Sequence, residues 1–151
     1  MNYNSDHALA KKTAEIIREN FPEREITNLL VIRWSGQAWK SKLGHITPLK
    51  NPEFGSLIEI NSLLNDPYVP EFVVEATLLH ELIHYFDGFG SNHERKRRHP
   101  HLGGIMKKEF AEFGWTELHK KQKGWLEKNF SKLYYEHERR QKMQNATTLK
   151  K

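Results

Sequence analysis

Hydrophobic and polar positions follow two different periods along this chain, and the change of period divides it into elements. Over residues 5–20, Ala8, Ala14, Ile16 and Ile17 form a narrow stripe at helical spacing. Ser5 or Asp6 can cap this segment and Pro22 follows its end, which predicts an amphipathic helix covering a sheet. Three strand-like runs come next. Residues 28–34 are apolar and β-branched, residues 42–49 alternate loosely, and residues 56–61 alternate well. Pro48 marks the second run as an edge or a strand end. The link 50–55 reads as a turn, so the last two runs form a hairpin.

Past a punctuated loop at 63–70, Phe72, Val73, Ala76, Leu79, Ile83 and Phe86 define a wide apolar face. They predict a helix from about Pro70 to Asp87, with Pro70 at its first position and Gly88 in a left-handed conformation after its end. Such a helix is roughly 27 Å long, enough to cross the domain. Residues 91–100 read as an exposed loop. A second helix opens at Ile105 and ends near Gly114. Residues 116–143 read as one helix or as two broken at Gly124, with Trp115, Leu118, Trp125, Leu126, Phe130, Leu133 and Tyr134 as a packing stripe. The polar residues 144–151 are expected to form a disordered tail. The whole predicts an α+β fold in a single domain over 1–143, with a small three-stranded sheet packed on the 70–87 helix and further helices after it.

Composition narrows the chemistry. A chain of 151 residues with 37% apolar and 28% charged content suits one domain. It has no cysteine, which excludes disulfides, thiolate nucleophiles, thiolate zinc sites and iron–sulfur clusters. Any metal must be held by His, Asp or Glu. No apolar run approaches the ~18 residues of a membrane span, and the first residues lack the features of a secretory signal, so no membrane partner and a cytoplasmic location are expected. The net charge of +5 is uneven. Residues 1–88 carry 8 Lys/Arg against 12 Asp/Glu, and residues 89–151 carry 16 against 7. The second half is therefore at +9, and DNA is a candidate partner through it. The cluster Arg95, Lys96, Arg97 and Arg98 is its densest part and supplies the candidate nucleic-acid contacts.

The 70–87 helix contains His80-Glu81-Leu82-Ile83-His84, the pattern H-E-x-x-H. A shuffled chain with 9 His and 16 Glu would hold this pattern about 0.06 times, so context must carry it. The context is a helix that is otherwise apolar, in which two imidazoles and a carboxylate are costly unless paired or metal-bound. Residues four apart share a helix face, so His80 and His84 can reach one ion while Glu81 sits beside it as a general base. Zinc suits two neutral imidazoles, and one Zn²⁺ is the expected cofactor. A third protein ligand is needed. The short metzincin spacing is excluded, because Asp87 and Gly90 occupy the positions of its Gly and His. The candidates are His93, His99, His101, Glu109 and Glu112. His101 ranks first, at the start of the next helix beside Gly103 and Gly104, with His99 and Glu109 behind it and His93 read as a solvated loop residue. His45, alone on a strand, reads as structural. Tyr85, Tyr134, Tyr135, His99 and Arg98 are candidates for stabilising an oxyanion.

Residues 78–84, preceded by the hairpin from Gly44 to Asn61 and followed by His101, Ile105 and Lys107, resemble the SprT-like zinc metallopeptidases. That family includes the Spartan protease, which degrades proteins crosslinked to DNA. The resemblance covers about residues 28–112. It implies a zincin-like fold, His80, His84 and His101 as zinc ligands, and Glu81 as catalytic base. Leu102 and Ile105 depart from the usual Gly and aromatic, and the cysteine zinc ribbon of many bacterial members is absent. The expected function is zinc-dependent hydrolysis of peptide bonds in protein or peptide substrates, with DNA-associated or crosslinked proteins and the nucleoid implied by the resemblance. The alternative is a metal-stabilised nucleic-acid-binding or adaptor module without catalysis.

Overall fold

The computed structural model describes residues 3–50, 55–91, 93, 95 and 104–149. The fold is α+β, with four helices and one small mixed sheet. Helix α1 (Asp6–Asn20) is capped by the Ser5 hydroxyl, which accepts from the Ala8 N–H at 3.1 Å. Strands β1 (Leu30–Trp34), β2 (Gly44–Leu49) and β3 (Gly55–Ile60) lie in the order β1-β3-β2. The expected hairpin is present as the antiparallel pair β2–β3, and β1 adds to the other side of β3 in parallel. Strand β3 is therefore central and buried except at Glu59, while β2 is an edge that tolerates Pro48.

The register sorts side chains into rows. Ile32, Ile58 and Ile46 stand opposite one another and enter the core. The next row is Arg33, Glu59 and His45, which the strand period turns to the opposite face. A slip of one residue would exchange the two rows and bury the charges.

Helix α2 (Glu71–Phe86) packs against β2 and β3, and twelve of its sixteen residues are buried. It is apolar nearly all round because it is the centre of the molecule rather than a surface helix. Pro70 is its N-cap and not its first helical residue: a ψ of 147° keeps it extended, while its carbonyl accepts from the Val73 N–H at 3.0 Å. At the other end Gly88 adopts a φ of 82°, as expected, and the Phe89 N–H closes back on the His84 carbonyl at 2.9 Å. Part of the predicted 63–70 loop is a short 3-10 turn (Ser62–Leu64), which the Asn61 side chain caps.

Helix α3 (Ile105–Glu112) ends at Gly114, and helix α4 runs unbroken from Thr116 to Leu149. Of the two readings of residues 116–143, one helix or two, the single helix is the one observed. Gly124 does not break α4, since one glycine costs only about 1 kcal/mol and the adjacent Trp125 and Leu126 pack on the core. One expectation is corrected here. The helix also continues through residues 144–149, expected to be disordered, because no Gly or Pro interrupts the stretch after Gly124. Its 34 residues span about 51 Å. No described helix is long and apolar enough to cross a membrane.

Candidate functional site

His80, Glu81 and His84 lie in the last turns of α2, where the helix passes the β2 edge. The spacing of four stacks the two imidazoles, with Nε2 atoms 3.0 Å apart and rings crossing at 77°. Two nitrogens about 2.05 Å from a shared tetrahedral ion would be about 3.3 Å apart. The pair thus fits two positions of a zinc site after a small opening. The same separation suits a hydrogen bond from one Nε2–H to the other Nε2, so loading an ion would release that proton.

Glu81 is 5% exposed. Burial raises its carboxyl from 4.5 to about 8, and the positive charge of Lys42 pulls in the opposite direction. Space for this carboxylate depends on Gly44. A Cβ there would lie 3.1 Å from the Glu59 carbonyl oxygen, 3.2 Å from Thr77 Cγ2 and 3.3 Å from Glu81 Oε1. The missing side chain is what lets α2 approach the sheet edge so closely.

The triplet opens into a cleft of about 290 Å³. Strand β2 and the residues just before it form one wall, and α2 with Phe89 forms another. Gln122 of α4 closes the back, its amide donating to the Val73 carbonyl at 3.0 Å and to Thr77 Oγ1 at 2.9 Å. This pins α4 to α2 beside the site.

No protein-family model, curated protein or solved structure matches the chain. The resemblance therefore rests on the motif residues themselves, and so does any role given to them.

The structure brings together His80, Glu81 and His84. No described His, Asp or Glu completes a three-donor group with the two histidines. His99 and His101 lie outside the described residues. Glu109 is buried, but it lines a separate cavity of about 290 Å³ with Glu112, Asp87 and Ile83. His93 is not a solvated loop residue. It is half-buried, with its ring 5.0 Å from that of Tyr85 and 5.5 Å from that of Phe86, and burial holds its pKa down.

Of the oxyanion candidates, Tyr85 is fully buried and donates its hydroxyl to Asn28 Oδ1, away from the cleft. Tyr134 and Tyr135 sit on α4 with rings 6.0 Å apart and do not line the cleft. Arg98 lies outside the described residues with His99. In the basic cluster, Arg95 places its guanidinium 5.5 Å from the Phe89 ring at the cleft wall, and Lys96 and Arg97 are outside the described residues. His45 does line the cleft, but Lys42 and Glu59 engage its two ring nitrogens, so it is no free ligand. Sequence reasoning missed Lys42, which lines the cleft, and Trp39, whose ring centre lies 4.3 Å from Lys42 Nζ. The available signal was an isolated tryptophan and lysine in a polar stretch just before an edge strand.

Proposed function

We propose that the chain is a zinc-dependent peptidase of the SprT-like, zincin-like kind. The observation that carries this reading is the pair of Nε2 atoms 3.0 Å apart, with the buried Glu81 lining the same cleft. His80 and His84 would hold the ion together with His101, the ligand the resemblance implies. When bound, the ion supplies Lewis acidity toward water and the scissile carbonyl, and a charge that favours the Glu81 carboxylate. Glu81 takes a proton from the attacking water as its oxygen adds to the carbonyl carbon. It then returns that proton to the leaving nitrogen as the C–N bond breaks. Burial suits this role, since a carboxyl whose proton affinity is raised can both accept and return a proton near neutral pH. A structural metal site has no use for such a group, which favours catalysis over the adaptor reading.

Protein and peptide chains are the proposed substrates. DNA-associated proteins are the proposed subset, reached through the +9 half of the chain in the cytoplasm or at the nucleoid. Elemental analysis tests the metal assignment. One zinc per chain is expected for the unsubstituted protein, and none for His84→Ala or His101→Ala. Full stoichiometry in His101→Ala would remove that residue from the ligand set, and no zinc in the unsubstituted protein would end the zinc reading.

A further inference from the structure

The connection between β1 and β2 (residues 35–43) is held more firmly than a surface loop requires. Asn61 is fully buried. It accepts from the Trp39 N–H at 3.1 Å and donates to the carbonyls of Trp39 and Lys42, both at 2.8 Å. Ser35 secures the other end, its hydroxyl donating to the Gln37 carbonyl at 2.6 Å and accepting from the Ser62 N–H at 2.8 Å. The backbone that carries Lys42 is thereby fixed to the end of β3.

The side chain is fixed as well. Lys42 Nζ lies 2.8 Å from His45 Nδ1 and 4.3 Å from the centre of the Trp39 ring. An ammonium can only donate, so His45 Nδ1 accepts and its Nε2–H donates to Glu59 Oε1 at 2.8 Å. Glu59 Oε2 accepts from Arg33 Nε at 3.1 Å, and the Trp39 ring covers His45 with centroids 4.6 Å apart. The charged row across the three strands thus ends on one ammonium at the sheet edge. A lysine normally carries about 2 kcal/mol of rotamer entropy. Here much of that is lost before any ligand arrives, which is the signature of a preorganised contact.

Lys42 is exposed, is the one lysine or arginine among the described residues that line the cleft itself, with Arg95 standing over Phe89 at its wall, and forms no ion pair among the described residues. One of its three N–H groups serves His45, which leaves two for a ligand. We propose that Lys42, aligned by His45, Glu59 and Trp39, is a subsite for a substrate carboxylate, so that the cleft selects acidic peptides. The carboxylate is an Asp or Glu side chain, or the C-terminus of the peptide. This rests on the peptidase reading for its occupant, but its test reads binding and needs no turnover.

The test uses Glu81→Gln protein and labelled, unstructured, C-terminally amidated peptides of common sequence. Asp, Asn or Lys is placed at each position in turn, and one further Asn peptide carries a free C-terminal carboxylate. Fluorescence anisotropy reads affinity. At one position the Asp peptide is expected to bind about tenfold more tightly than its Asn counterpart. Lys42→Met in the same background should abolish that ratio, and Lys42→Arg should largely keep it. A gain confined to the free-carboxylate peptide would assign the subsite to the chain end. Equal binding of the Asp, Asn and free-carboxylate peptides, no binding of any, or a ratio unchanged in Lys42→Met would overturn the subsite. The peptidase reading fails separately, if unsubstituted protein holds no zinc or cleaves nothing.

Discussion

Replacing Glu81 with Gln should change how stability depends on pH, before any question of catalysis. In the metal-free protein the Glu81 carboxyl titrates near 8 instead of 4.5, chiefly because the fold buries it. A folded-state pKa above the unfolded one means that the protonated form is the stabilising one. Its contribution is complete below about pH 4.5 and is lost as pH rises through about 8. A shift of about 3.5 units corresponds to roughly 5 kcal/mol across that window, at ~1.4 kcal/mol per unit. Against a total stability of about 5–15 kcal/mol for a domain, this is large enough to measure. Gln keeps the shape and cannot ionise. Urea unfolding with a chelator present, from pH 5 to 9, is the assay. The unsubstituted protein should lose stability relative to Glu81→Gln by up to ~1.4 kcal/mol per pH unit, with the histidine contributions cancelling in the difference. Saturating zinc should shrink the gap, since a dication beside the carboxylate offsets its burial. Parallel pH profiles for the two metal-free proteins would refute the reasoning.

Gly44→Ala would place a Cβ 3.1 Å from a backbone oxygen of β3, which cannot swing aside, and 3.3 Å from Glu81 Oε1. It should cost about 1–3 kcal/mol and lower the proposed peptidase activity by moving Glu81, whereas Gly36→Ala, with open space around the new Cβ, should be neutral in thermal melts. Asn61→Ala would leave four backbone groups without its amide, those of Trp39 (N–H and carbonyl), Lys42 and Leu63. Buried groups stripped of partners cost about 1–3 kcal/mol each, partly recovered by water. A loss of about 2–4 kcal/mol by urea unfolding, with faster amide exchange confined to the 35–43 loop, is the expected result.

The parts of the molecule written in local periods were legible in the sequence. The α1 stripe, the β2–β3 hairpin, the apolar run of α2 and the i,i+4 pair at His80 and His84 all follow from residues close together in the chain. Pairing at a distance was not. Nothing in residues 28–34 says that they join β3 in parallel, and without that register Arg33, Glu59 and His45 do not form a row. Lys42 is then only a surface lysine, and its neighbour Trp39 only a loop aromatic. His93 and Pro70 were misread, because neither the ring contacts of His93 with Tyr85 and Phe86 nor the extended ψ of Pro70 is written in their local sequence.

Cleavage of an unfolded protein by the zinc-loaded chain, with Glu81→Gln measured beside it at equal zinc content, addresses the proposed chemistry most directly. The proposal predicts that the unsubstituted protein generates new peptide termini, that a chelator stops it, and that Glu81→Gln binds zinc but is at least about a thousandfold slower. Equal cleavage by the two proteins, or none by the unsubstituted one at full zinc occupancy, would contradict it.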